Sequence, residues 1–127
     1  MQEGTILLVD DEDMILSITG KMLEHVGYKV LPATSGPEAI DLFREHGNEI
    51  TLTILDLSMP DMSGEEVFGK LRELREDAVI ALSTGLAEDG EVPDIHGIEP
   101  SGFINKPYEM NTLLDAVAEI IGRAGSV

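Results

Sequence analysis

Short apolar runs alternate with amphipathic segments along this chain, and that alternation restricts the possible folds more than any other feature. Thr5-Ile-Leu-Leu-Val9 is continuously apolar and stops abruptly at acids, the pattern of a strand buried on both faces. From about Glu12 to Val26, Ile15, Ile18, Met22 and Val26 recur at helical spacing, and Gly27 stops the helix. Tyr28-Lys-Val-Leu31 reads as a shorter, more polar strand, expected near a sheet edge. Ser35 is placed to cap the next helix, with Pro37 in its first turn and Glu38 completing a capping pattern. Ala39, Ile40 and Phe43 would face the core, and Gly47 ends that helix.

The design continues with Ile50-Thr-Leu-Thr-Ile-Leu55, which runs into Asp56, and a loop with Pro60 and Gly64 before a helix from about Glu65 to Glu76. Ala78-Val-Ile-Ala-Leu-Ser83 is a fourth strand ending at Thr84-Gly85. Alternation then requires a helix between Glu88 and Pro100, but Gly90, Pro93, Gly97 and Pro100 predict one that is short or irregular. Gly102-Phe-Ile-Asn105 is a fifth, short strand before Lys106-Pro107. The final helix, about Glu109 to Gly122, carries Met110, Leu113, Leu114, Val117, Ile120 and Ile121 as one stripe. Five strand-then-helix units predict an α/β fold, a doubly wound five-stranded parallel sheet with helices on both faces, and the flavodoxin-like order 2-1-3-4-5 is the one expected.

The length of 127 residues suits a single domain over 1–127, with a core of about 5–122. Twenty-five acids against 8 Lys and Arg give a formal charge of −17, yet 43% hydrophobic residues supply a core, so the charge does not mean disorder. The acidic excess argues against direct binding to nucleic acid, which draws on Lys and Arg, and leaves room for a cation or a basic partner. The absence of cysteine removes disulfides, thiol catalysis and thiolate metal centres. Nothing approaches the ~18 consecutive apolar residues of a membrane span, and no signal-peptide layout is present. A cytoplasmic setting without membrane contact is the expectation.

In parallel sheets, sites lie beyond the carboxyl ends of the strands. Four of the five strands end in reactive groups: Asp10-Asp11-Glu12-Asp13, Asp56, Ser83-Thr84-Gly85 and Lys106-Pro107. Each has a plain structural explanation. Asp10 or Asp11 could cap the first helix, Asp56 with Ser58 and Asp61 could be turn chemistry, Thr84-Gly85 a turn and Lys106 a solvated side chain. One sheet, however, would bring them all to a single rim. Carboxylates so placed repel one another until a hard cation joins them, and Mg²⁺ accepts one or two carboxylates, waters and a phosphate. A carboxylate beside a metal, with a Lys and a hydroxyl nearby, suits phosphoryl transfer. His25, His46 and His96 fall away from that rim as ordinary surface residues. Nucleotide-binding glycine loops, G-x-S-x-G and H-E-x-x-H are absent from the sequence. Asp11-Glu12-Asp13 has the D-x-D form of phosphatases with an aspartyl-phosphate intermediate, so a Mg²⁺-dependent phosphohydrolase is the alternative reading.

The acidic pair Asp10 and Asp11, the run from Asp56 to Gly64, Thr84 before Gly85, Phe103, and Lys106-Pro107 together resemble the receiver domain of bacterial response regulators. The resemblance covers Thr5 to about Gly122. It implies a phosphorylation-dependent switch, not an enzyme in the ordinary sense, that accepts a phosphoryl group from a histidine kinase or histidine phosphotransfer protein. By position, Asp56 is similar to the phosphoacceptor and Asp11 to the direct metal ligand. Asp10 resembles a ligand through water, and Ser58 a ligand through its backbone carbonyl. Thr84 and Lys106 resemble the pair that reads the phosphoryl group, Phe103 the aromatic switch, and the Lys106–Pro107 bond is implied to be cis. The resemblance implies Mg²⁺ as cofactor, with Mn²⁺ or Ca²⁺ able to substitute.

The interrupted fourth helix departs from the regular helix on which the family's usual dimer rests, so a monomer or weak dimer is expected. Phe103 stands where Tyr is commoner, without a hydroxyl to hydrogen-bond. Gly4-Thr-Ile-Leu-Leu-Val-Asp-Asp-Glu12 and Ala81-Leu-Ser-Thr-Gly85 most resemble receivers appended to hybrid histidine kinases, which would place the domain on the cytoplasmic side of a membrane. A pseudo-receiver used only for docking is disfavoured by the presence of all five site groups.

Overall fold

The computed structural model describes residues 4–56, 64–84, 102–105 and 110–124. Five strands, β1 (Thr5–Val9), β2 (Lys29–Ala33), β3 (Ile50–Asp56), β4 (Ile80–Thr84) and β5 (Gly102–Asn105), form one parallel sheet in the order β2-β1-β3-β4-β5. The described helices are α1 (Asp13–His25), α2 (Gly36–His46), α3 (Gly64–Leu74) and α4 (Met110–Ala124). The irregular helix expected between Glu88 and Pro100 lies outside the described residues. Among the described residues, no helix is long and apolar enough to cross a membrane.

Alternation along the strands sorts the core into two layers. Leu7, Val9, Leu55, Ile80 and Leu82 pack with Phe43 of α2 and Phe68 and Leu71 of α3. Ile6, Leu8, Leu52, Ile54 and Ile104 pack on the other face with Leu16 and Leu23 of α1 and Leu113, Val117 and Ile120 of α4. The central strands are buried on both faces, which is why they read as unbroken apolar runs. β2 is the edge strand, as its polarity predicts, but it extends through Pro32 to Ala33. Pro is tolerated there because an edge leaves one side of the strand without a partner.

Local signals end the helices as expected in most places. Ser35 Oγ accepts from Glu38 N at 3.2 Å, while the Glu38 carboxylate accepts from Thr34 N at 2.7 Å, one residue before the usual capping-box position. Gly27 follows α1 with φ +111°, a conformation that glycine adopts without steric cost. Gly47 does not use that freedom: it sits at φ −51°, and α2 simply ends there. Arg75 joins two turns below the sheet, donating to Gly47 O at 2.8 Å and to Asp77 Oδ1 at 3.0 Å.

The buried face of α1 differs from the expected stripe. Leu16, Thr19, Gly20 and Leu23 face the sheet, whereas Ile18 is 49% exposed and Met14 73% exposed. Ile15, Met22 and Val26 lie half-buried at the flanks. Two apolar stripes about 100° apart coexist on this helix, and the sheet selects the one that meets Ile6 and Leu8.

One polar group is out of place in the core. Thr53 Oγ1, in the middle of β3, is fully buried and has no hydrogen-bond partner among the described residues. A buried hydroxyl left unsatisfied costs about 1–3 kcal/mol. Thr53→Val keeps the shape and removes the hydroxyl, so it should raise stability by about 1–2 kcal/mol. Urea denaturation checks this, and an unchanged or lower midpoint would mean that Oγ1 is satisfied.

Candidate functional site

The rim of the sheet is set by strand register. Val9 pairs with Leu55, so Asp10 stands level with Asp56. Asp56 pairs with Ser83, and Thr84 pairs with Asn105, the residue before Lys106. Four strand ends thus meet at one edge, as the sequence predicts. That alignment depends on a local irregularity. Thr5 pairs with Ile50 but Ile6 with Leu52, so Thr51 is an extra residue in β3. Its Oγ1 accepts from Thr5 N at 3.4 Å. Without the bulge, Asp10 would meet Leu55 instead, because a one-residue slip moves every side chain to the opposite face. Gly4 allows the close approach: at φ +139°, a Cβ on it would lie 2.9 Å from Thr51 Oγ1.

Asp10, Asp11 and Asp56 converge here, with one carboxylate oxygen from each lying within 4.8 Å of the others. Asp10 is 1% exposed and Asp56 2%, while Asp11 is open to solvent. Neither Asp10 nor Asp11 caps α1. Glu12 occupies the N-cap position with no side-chain hydrogen bond, and its N–H donates to Asp10 Oδ1 at 2.9 Å. Asp10 N in turn donates to Ala33 O at 3.0 Å, fixing the end of β1 to the end of β2. The Asp10 side chain is therefore held by a turn of its own backbone, a role for the Glu12 amide that its place two residues after an Asp could have signalled. Asp13 lies apart from the cluster, in the first turn of α1.

Two buried carboxylates this close repel by about 3 kcal/mol at an effective dielectric near 20. Solvent screens the exposed Asp11 more strongly. All donors in the cluster are hard oxygens, and a small divalent cation fits that chemistry and offsets the repulsion. The cluster meets solvent through Asp11.

Thr84 closes β4 on the same rim, and Phe103 stands in β5 at the register position of Leu82. Ser58, Lys106 and Pro107 lie outside the described residues. His25 and His46 fall at the far ends of α1 and α2, away from the rim, and His96 lies outside the described residues.

Comparison with known proteins gives the same picture. The family described as "Response regulator receiver domain" matches residues 6–118. The sensor kinase CckA of Brucella abortus (strain 2308) is 32% identical over 118 residues, which are 93% of this chain and 12% of that kinase. The chain spans about half the length of several regulatory proteins that it also matches. The crystal structure of the receiver domain from the hybrid histidine kinase CckA superposes with a TM-score of 0.78 at 30% identity, covering 93% of this chain and 99% of that one. TrrA from Thermotoga maritima, solved in complex with Mg²⁺ and BeF, gives 0.78 at 30% identity over 92% of this chain and 98% of that one. A parallel sheet in this order, an acidic cluster at its carboxyl rim and a family match over most of the sequence agree: this chain belongs to the response regulator receiver domains.

Proposed function

We propose that Asp56 accepts a phosphoryl group from the phosphohistidine of a kinase or phosphotransfer protein, with Mg²⁺ held by Asp10, Asp11 and Asp56. The observation that carries this reading is the convergence of the three carboxylates within 4.8 Å, two of them buried. An Asp56 carboxylate oxygen attacks phosphorus, the P–O bond forms as the P–N bond breaks, and the imidazole leaves with the bond electrons. A bound Mg²⁺ supplies neutralisation of charge on the phosphoryl oxygens. Asp10 holds its position through the Glu12 amide, and Asp11 offers the solvent-facing oxygen. Ser58 would offer a backbone carbonyl to the cation. Thr84 and Lys106 read the transferred group, and Phe103 acts as the aromatic switch. The Mg²⁺-bound TrrA relative and the kinase origin of the CckA relatives support the reading. The domain acts as a switch, monomeric or weakly dimeric, on the cytoplasmic side of a membrane if it belongs to a hybrid sensor kinase.

Cation binding tests the ligand set. The site offers few protein oxygens, so Mg²⁺ should bind weakly and retain several waters. Asp11→Ala should weaken it at least about tenfold, equivalent to about 1.4 kcal/mol. Calorimetric titration checks this, and unchanged affinity would remove Asp11 from the site. Incubation with acetyl phosphate and Mg²⁺ tests the switch against the phosphohydrolase. A switch takes up one phosphoryl group per chain and loses it slowly, whereas continuous phosphate release over many turnovers would favour the enzyme.

A further inference from the structure

Gly20 stands in the middle of α1, buried against β2. A Cβ at this position would meet only Val30 Cγ1, at 3.7 Å, an ordinary contact. Alanine would therefore fit, and in a helix interior it is more favourable than glycine by about 1 kcal/mol. Packing does not require the missing methyl. Its absence widens a groove of about 460 Å³ between α1 and the edge strand, floored by Leu16, Gly20, Val30 and Pro32. Asp13, Glu24 and Glu38 rim the groove, and Lys21 is the one cation among the described residues that line it.

These features select the occupant. Pro32 has no N–H to offer, so an added strand would pair poorly along this edge. A second copy of a chain carrying −17 would bring like charge to an acidic rim. Three acids against one Lys favour a cationic partner with an apolar body. Asp13 and Glu24 stand eleven residues apart (24 − 13) on one helix, which is about 16 Å. We propose that the α1–β2 groove docks an amphipathic helix of a partner protein, with Lys or Arg residues about three turns apart on either side of a short apolar face. This surface is separate from the acidic cluster and does not rest on the chemistry proposed there.

The test uses the full chain and a synthetic helical peptide with Arg at positions i and i+11 and Leu at i+4 and i+7, all on one face. A control peptide of identical composition places the two Arg side by side. Amide shifts in ¹⁵N–¹H spectra, recorded at physiological salt, should gather at Ser17, Gly20, Lys21, Val30 and Thr34 as the first peptide is added. The control should bind about tenfold more weakly. Gly20→Leu, which fills the floor, and Glu24→Lys, which reverses the rim, should each weaken the first peptide about tenfold. Glu24 is exposed, so its variant carries the test even if Gly20→Leu fails to fold. Absence of binding, equal affinity for both peptides, shifts spread over the whole acidic surface, or unchanged affinity in Glu24→Lys would each overturn the proposal.

Discussion

Asp56→Asn should abolish hydroxylamine-sensitive labelling by acetyl phosphate or a phosphohistidine donor, while making the protein more stable. The two effects share one cause. Asp56 is a buried carboxylate held against a second buried carboxylate, Asp10. The amide has nearly the same shape but neither the negative charge nor the nucleophilic oxygen, so acyl phosphate formation at this position ends. Removing the charge also relieves the repulsion between the pair, whose upper scale is about 3 kcal/mol at an effective dielectric near 20. A gain on the order of 2 kcal/mol is expected in chelator, which for a domain of this size is a rise of several degrees in Tm. Added Mg²⁺ should narrow the difference, because it stabilises the native cluster by mass action and the variant less. Mass spectrometry follows the labelling and calorimetry the melting, each with EDTA and with Mg²⁺. Full labelling of the variant would move the nucleophile elsewhere, and a lower Tm in EDTA would show that the Asp56 charge is already compensated within the fold.

Leu8→Ala should cause the largest loss of stability, about 3–4 kcal/mol within the range for buried leucine truncations. Leu8 is fully buried on β1, between β2 and β3, and packs in the layer formed with α1 and α4. Backbone hydrogen bonds hold β1 on both sides, so the strand cannot collapse into the space a methylated branch leaves. Domains are stable by only about 5–15 kcal/mol, so this one change removes a large share. The urea midpoint should fall with little change in slope, since the surface exposed on unfolding stays nearly the same. A loss under about 1 kcal/mol would mean that the layer closes over the cavity.

The two predictions draw on different kinds of information. The identity of Asp56 and of its neighbours Asp10 and Asp11 was legible in the chain, because each follows an apolar run and parallel strands present their ends to one rim. The parallel sheet followed from the same alternation, and the weak β2 run marked an edge. Strand and helix identities are local matters, governed by residue periodicity and by caps such as Ser35 and Gly27.

What the chain alone could not decide was which of several local options the packing would select. Ile18 and Leu16 lie on competing stripes of one helix, and nothing within α1 says which will meet the sheet. The extra residue at Thr51 is invisible in an unbroken β-rich run, yet it brings Asp10 level with Asp56. Gly20 reads only as a weak point in a helix until Val30 is seen across an open groove. Sequence settles periodicity because neighbouring residues share one backbone geometry. Register, face and empty space belong to contacts between segments far apart in the chain, and their energies appear only when those segments meet.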